Sequence, residues 1–400
     1  MEESEHLEQL GRLQGTAGHF PLEWAARLKV KKILGEGGFG RVFLCSTSCG
    51  SPASADVSVK LIQGDSAAAK HEVDMMRRMY GVSEYCTSTI GAPDYVKTSL
   101  GMWLMMPYFN SGDFLGMVKR CHGSADCLCG RELCWDKLGS HFSRAFVLAL
   151  FFQAVEGVAA MHGQGLVHRD IKLENLMVNC KESSCYAAVI DLGLACEEGH
   201  EECKETAGTP GYIAPEALEA GGSGRPVSDV FSLGVVLYRL LYAKPPPFLS
   251  DRLGIQTRLY HPSQDPNFQG VRTQRDELAL AMLTPDPEFR ISIADVLTKL
   301  RDIIEMEGPP QEVLAMLSIG PVQRGAKNPF PRCLFEQSVG NVKDVQDLED
   351  KPFHRLDCTD LPKSAPFKCG FCFLCNPCCQ CRVKRHGVLV PEFFRMESCQ

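Results

Sequence analysis

HRDIKLEN, residues 168–175, places His168, Arg169, Asp170, Lys172 and Asn175 in one short loop between two apolar stretches. Upstream, about Ser143 to Met161 reads as a strongly apolar helix, and downstream Val189 and Ile190 lead into Asp191 of a DLG triplet. Polar side chains concentrated in a loop between buried elements mark either a hydrogen-bonded turn or a site held on a rigid scaffold. The segments before this loop separate the two readings.

GEGGFGRV, Gly35 to Val42, lies between two β-rich runs, one through Leu28, Val30 and Ile33 and one from Arg41 to Leu44. Glycines at 35, 37 and 40 let backbone N–H groups approach phosphate oxygens closely, although such a turn is a weak signal by itself. Lys60 then closes the strand VSVK, and Glu72 sits on the next helix, Ala67 to Tyr80. A strand ammonium can grip phosphate and a helical carboxylate can orient it. Phosphoryl transfer requires a base for the incoming hydroxyl, a cation beside the moving group and hard oxygen ligands for magnesium. The two loops offer candidates for each, Asp170 as base, Lys172 as cation, and Asn175 with Asp191 as ligands, roles that the resemblance described next implies.

In this order the motifs resemble those of eukaryotic-type serine/threonine protein kinases, over about residues 28–305. GTPGYIAPE, Gly208 to Glu216, is similar to the family's substrate-binding loop and its closing motif. DVFSLG from Asp229 resembles the buried helix that anchors the catalytic loop, and Arg290 matches the arginine that pairs with Glu216. The resemblance implies an α+β, two-lobed fold, with a β-rich N-lobe of about 28–106 and a helical C-lobe of about 110–305. It implies ATP and Mg2+ as cofactors and protein substrates with Ser/Thr acceptors; Lys172 and Thr209 match the Ser/Thr branch. ATP contacts are expected from Leu34, Gly35, Glu36, Gly37, Gly38, Phe39, Gly40, Val42, Lys60, Met106, Pro107, Phe109, Asp113 and Met177. Thr206 matches an activation-loop phosphosite that Arg169 would hold. Leu192 and Phe231 depart from the family's phenylalanine and tryptophan, and Ser58 stands where alanine is usual. Asp113 and Glu174 resemble acids that recruit basic substrates, whereas Arg239 replaces a further acid. The competing expectation is a catalytically weak scaffold that keeps the fold for binding.

The bulk properties agree with a globular chain. Of 400 residues, 44% are hydrophobic and 23% charged, and the formal net charge of −7 argues against a nucleic-acid partner. No stretch of about 20 apolar residues is expected to cross a bilayer. The acidic start, MEESEHLEQL, lacks a secretory pattern, so an intracellular, cytoplasmic location is expected. Residues 1–27 read as a polar N-terminal extension, 306–365 as a linker or tail, and 366–400 as a Cys-rich tail.

Twenty cysteines are many, and a reducing compartment favours metal ligation, lipidation or buried thiols over disulfides. An insertion at about 119–141 carries Cys121, His122, Cys127, Cys129, Cys134 and His141 without CxxC pairs, and reads mainly as an exposed loop. Cys196 and Cys203 read as ordinary thiols, with redox sensitivity as the alternative. In the tail, Cys369, Cys372, Cys375, Cys378, Cys379 and Cys381 allow Zn2+ or, less readily, an iron–sulfur site. Interleaved Phe371, Phe373 and Leu374 with basic Arg382, Lys384 and Arg385 equally suit S-acylation at a membrane surface.

Overall fold

The computed structural model describes residues 20–21, 24, 28–37, 40–47, 56–63, 67–80, 94–122, 144–181, 184–218, 224–246, 265–269 and 272–307. The chain divides into Met1–Val342 and Lys343–Gln400, and all described residues lie in the first unit. The six tail cysteines, Gly38, Phe39, and Cys127, Cys129, Cys134 and His141 of the insertion lie outside the described residues. So do the side chains of Cys121 and His122.

The N-lobe is a five-stranded antiparallel sheet of β1 (Leu28–Gly37), β2 (Gly40–Thr47), β3 (Asp56–Gln63), β4 (Asp94–Thr98) and β5 (Gly101–Pro107), ordered β1-β2-β3-β5-β4. Alternation along each strand separates its faces. Phe43, Cys45, Val57, Val59, Leu61, Trp103 and Met105 form one apolar layer. The opposite face carries the cross-strand rows Val42–Lys60–Leu104 and Leu44–Ser58–Met106. Register therefore puts Lys60 beside Val42 and Ser58 beside Met106. Gly40 has φ 119°, and a Cβ there would lie 1.9 Å from the Leu61 carbonyl oxygen. Close packing on β3 thus demands this glycine, independently of any phosphate.

One expectation needs correction at the N-terminus. Trp24, read as part of a polar extension, is 1% exposed and packs into the outer layer, with Phe20 edge-on to it and to Trp103. Phe20 and Trp24 stand in the short mixed stretch HFPLEWAARL, too brief for a period to show which of its apolar residues are buried.

Helix α1 (Ala67–Tyr80) turns Ala69 and Val73 toward Ile62 and Leu104, while Met75, Met76 and Met79 pack with Met161, Leu166 and Leu192. Leu192 keeps an apolar group in a methionine-rich cluster, where flexible side chains adapt to its smaller shape.

The C-lobe contains α2 (Phe114–His122), α3 (Arg144–Gly163), α4 (Pro215–Leu218), α5 (Pro226–Tyr242), α6 (Gln274–Met282) and α7 (Ile293–Met306). Short β-pairs flank the catalytic segment: β6 (Leu166–Val167) with β9 (Cys196–Glu197), and β7 (Leu176–Lys181) with β8 (Ser184–Val189). Helix α3 is apolar on all sides and central; it is, by length and composition, long enough to cross a membrane, contrary to the sequence expectation. Its apolar window is 78% buried inside the lobe, as the core helix of such a fold requires. Its buried Gln153 accepts from Ala187 N at 2.8 Å and so ties α3 to β8. Proline at the start of α5, a Thr273–Asp276 capping box on α6 and Ser292 capping α7 define helix starts already visible as residue types.

The cysteines also require correction. Cys180 and Cys185, opposite one another in the β7–β8 register, form a disulfide, as do Cys196 and Cys203. Pairing follows from hairpin register and loop folding, which composition does not reveal. Cys45 remains a buried thiol, and burial first, with Asp56 nearby, pushes it up to about 12.

Candidate active site

Asp229, at the start of α5, is 1% exposed and organises the catalytic loop. Its Oδ2 accepts from His162 Nε2 and from the His168 amide, each at 2.8 Å, and its Oδ1 accepts from the Arg169 amide at 2.9 Å. Burial alone would raise this carboxyl, yet the His162 ring and the His168 amide hold it below the ordinary aspartate value. These bonds fix Arg169 at φ 64°, a conformation costly for a residue with a Cβ. His168 is fully buried; Asp170 N donates to its Nδ1 at 3.2 Å, leaving Nε2 to donate to the Ile190 carbonyl at 3.1 Å. The loop is thereby joined to the segment bearing Asp191.

Both oxygens of the Asp170 carboxylate are engaged. Oδ1 accepts from Thr209 Oγ1 at 2.6 Å, and Oδ2 accepts from Lys172 Nζ at 2.7 Å and Asn175 Nδ2 at 3.2 Å. Lys172 also donates to Thr209 Oγ1 at 2.9 Å. Asn175 Nδ2 donates in addition to the Asp170 carbonyl at 2.8 Å, which directs the amide nitrogen inward and leaves Oδ1 as the acceptor end of the amide. The sequence marked Thr209 only as a specificity feature, and its direct contact with Asp170 went unread.

Across the cleft, Lys60 is 8% exposed and donates to Glu72 Oε1 and Oε2 at 2.8 and 3.0 Å, with Asp191 Oδ1 at 3.5 Å. Burial by itself would lower the Lys60 ammonium, but Glu72 and Asp191 outweigh it and hold Lys60 above its ordinary value. The lysine is therefore kept as a cation. Asp191 sits at φ 67°, a second non-glycine residue in the left-handed region.

Asn175 and Asp191 present hard oxygen donors beside a cation, a donor set suited to magnesium rather than to thiophilic metals. Bound there, magnesium would neutralise phosphate oxygens.

At the adenine end, Met106 and Pro107 close β5, Phe109 is buried against Tyr186, and Val42 and Met177 are half-buried. Leu34, at 39% exposure, stays open at the end of β1, next to exposed Gly35 and Glu36, while Gly37 pairs with Gly40. Asp113 serves the local backbone, since its Oδ1 accepts from Gly116 N at 2.6 Å, capping α2, and its main chain bridges Met177.

The closing motif is anchored as expected. Arg290 donates to Glu216 Oε1 and Oε2 at 2.6 and 2.8 Å, and also to the carbonyls of Val227, Thr284 and Pro285. Its guanidinium lies 5.0 Å from the centre of the Phe231 ring, so the phenylalanine substitution still supplies an aromatic face. Burial opposes ionisation of Glu216, but Arg290 and Ser228 pull its carboxyl below the usual range.

A sheet lobe bearing Lys60 and Glu72, facing a helical lobe bearing Asp170, Asn175 and Asp191, is the architecture of a phosphotransferase. The family model described as Protein kinase domain matches residues 28–300, and the chain belongs to that family. It is 34% identical over 177 residues to "Calcium/calmodulin-dependent protein kinase type II" of Caenorhabditis elegans, covering 43% of this chain and 24% of that protein. The "Calcium/calmodulin-dependent protein kinase type II alpha chain" of Drosophila melanogaster is 35% identical over 178 residues, covering 43% and 33%. "Putative CBL-interacting protein kinase 27" of Oryza sativa subsp. japonica is 28% identical over 277 residues, covering 68% and 62%. The chain thus spans about a quarter to a third of the first relatives it matches.

Proposed function

We propose that this chain transfers the γ-phosphoryl group of ATP to serine or threonine hydroxyls of protein substrates. The observation that carries the reading is the Asp170 carboxylate, held between a hydroxyl and an ammonium. Its Oδ1 accepts an O–H from Thr209 at 2.6 Å; an incoming hydroxyl presented to the same oxygen loses its proton there. Lys172, bonded to that carboxylate, stands where charge on the moving phosphoryl is stabilised. Lys60, kept cationic by Glu72, would orient the phosphates, and Asn175 Oδ1 and Asp191 would hold magnesium. Val42 of one cross-strand row and Ser58 and Met106 of the next, with Met177 and Phe109, would enclose the adenine. Incubating the full chain with labelled ATP, magnesium and a generic Ser/Thr substrate is expected to yield phosphoserine or phosphothreonine. Asp170→Asn is expected to lower kcat by about 10²- to 10⁴-fold; transfer unaffected by Asp170→Asn overturns the assignment.

Regulation through the activation loop belongs to the same proposal. Thr206 donates to the Ala217 carbonyl at 3.4 Å, and Arg169 Nη1 donates to the carbonyls of Glu202 and Glu205 nearby. A phosphate on Thr206 would add about 1.5 to 2 negative charges beside that guanidinium. Thr206→Ala with unchanged activity and no phosphate mapped to the loop removes this part.

A further inference from the structure

The activation loop carries a bond that the phosphoryl-transfer chemistry does not use. Cys196, in β9, and Cys203, in the turn Glu201–Lys204, are seven residues apart, have Cα atoms 5.6 Å apart, and are joined by a disulfide with both residues fully buried. They pack on Val167 of β6, which pairs directly with Cys196 and lies three residues before Asp170. Their surroundings all serve to seat the loop. Arg169 donates through Nε to the Leu194 carbonyl at 2.7 Å, and through Nη1 to the carbonyls of Glu202 and Glu205, so it grips the loop on both sides of the bond. Gly224 N donates to the Cys203 carbonyl at 2.7 Å, and a Cβ on Gly224 would come within 2.7 Å of Arg169 Cδ. The bond, the arginine and the segment leading into α5 are thus packed as one block.

The loop's charge gives this bond a purpose. Between Cys196 and Thr206 lie Glu197, Glu198, Glu201, Glu202 and Glu205, with Lys204 and His200 as the positive and titratable residues. A phosphate at Thr206 would add negative charge beside these carboxylates, whereas a disulfide orders the loop without adding any. We propose that Cys196–Cys203 is a redox clamp: oxidised, it seats the activation loop in the arrangement that supports Asp170 and Thr209; reduced, it releases the loop. This rests on the kinase reading above.

The chemistry is thiol–disulfide exchange with a low-molecular-weight disulfide such as oxidised glutathione. One cysteine thiolate displaces a glutathione thiolate and forms a mixed disulfide; the second cysteine thiolate then displaces the other glutathione. Two protein thiols are oxidised by two electrons, and one glutathione disulfide is reduced to two thiols. Since both sulfurs are buried, the first exchange requires the loop to leave its seat; the second closes the bond where the seated loop brings the two Cα atoms to 5.6 Å, and the bond then holds the loop there. In the seated loop Cys203 Sγ lies 3.1 Å from the Glu197 carbonyl oxygen, a place from which a reduced thiol would donate a weak S–H···O bond, so reduction disfavours the seated loop rather than abolishing it. Closing a loop of this size favours the linked conformation by up to on the order of 50-fold in the chain-entropy model.

The test equilibrates the full chain in glutathione buffers from reduced to oxidised. Peptide mapping of the 196–203 cross-link, kinase activity and hydrogen exchange over 194–209 are then measured for the wild type, Cys196→Ser, Cys203→Ser and Cys203→Ala. Cross-linked wild type is expected to show about tenfold or greater activity over its reduced form, with slowed exchange in the loop. The variants are expected to remain near the reduced level in every buffer, and agreement between the serine and alanine variants separates loss of the bond from a packing defect. Equal activity and equal exchange in mapped oxidised and reduced wild type overturn the clamp, as does failure to form the cross-link in fully oxidised buffer. If transfer is absent in both states and matches Asp170→Asn, the kinase reading fails; hydrogen exchange still decides the clamp, slowed exchange supporting it and equal exchange overturning it.

Discussion

Replacing Asp229 with asparagine tests how the catalytic loop is held. The substitution preserves shape but turns one carboxylate oxygen into an NH2 donor. The three donors around Asp229 are His162 Nε2 and His168 N at Oδ2, and Arg169 N at Oδ1. If the amide oxygen takes the Oδ2 position, the Arg169 N–H faces a second donor; with the amide reversed, two bonds are lost instead. The better orientation therefore loses one charge-assisted bond, about 1.5–3 kcal/mol, and weakens the two that remain. A total near 4 kcal/mol in a domain of this size lowers Tm by about 10 °C. Catalysis should fall further than stability alone requires, because the lost bond is the one holding Arg169 at φ 64°. Once released, that residue relaxes and carries Asp170 away from Thr209. Thermal unfolding and single-turnover transfer, measured well below the variant's Tm, read the two effects separately. A Tm within about 2 °C of wild type together with transfer within twofold would refute this account.

Arg290→Ala breaks the buried pair with Glu216 and is expected to cost about 3–5 kcal/mol, whereas Arg290→Lys should recover only part because it cannot form the bidentate contact; chemical unfolding distinguishes them. Asp229 and Glu216 are both depressed in the folded chain, so their contributions are fully present above the ordinary values of 3.8 and 4.5 and vanish as pH falls through the lower folded values. Stability should accordingly drop on acidification below about pH 5, with a shallower slope in Asp229→Asn and Glu216→Gln; slopes equal to wild type in both would contradict the assignment. Gly40→Ala places a methyl against the Leu61 carbonyl, and its expected cost of about 2–4 kcal/mol should appear in unfolding experiments without ATP, where a glycine needed only for phosphate approach would show no such loss.

The parts of the fold that sequence made legible are those in which residue type and order suffice. His168, Asp170, Asn175 and Asp191 come from two short segments, and the run VSVK placed Lys60 at the close of a strand. Trp24 and the pairs Cys180–Cys185 and Cys196–Cys203 depend on long-range packing or register, which leave no local period. Thr209 illustrates an intermediate case: its motif was readable, but its 2.6 Å contact with Asp170 depends on how the activation loop folds back over the catalytic loop. Asp113 shows the reverse. Its place three residues before Gly116, at a helix start, is an N-cap pattern, and the resemblance drew attention to ligand binding instead.

Helix α1 touches the activation segment in several places, and their energies are unequal. Arg78 donates to Glu197 at 2.8 Å, but both side chains are more than a third exposed, so this pair contributes at most about 1 kcal/mol. His71 Nε2 donates to the Ala195 carbonyl at 2.6 Å from a partly buried position, immediately before Cys196. Glu72 holds Lys60 in a buried pair, and Met75, Met76 and Met79 pack against Leu192 and Ala195. Most of the coupling must therefore run through residues 191–195 and the methionine cluster rather than through the surface ion pair. Displacing Cys196 pulls on Ala195 and Leu192, the residues on which α1 rests, and so disturbs the orientation of Glu72. Release of the activation loop, as proposed above, is therefore expected to loosen the Lys60–Glu72 pair as well, through these few buried side chains.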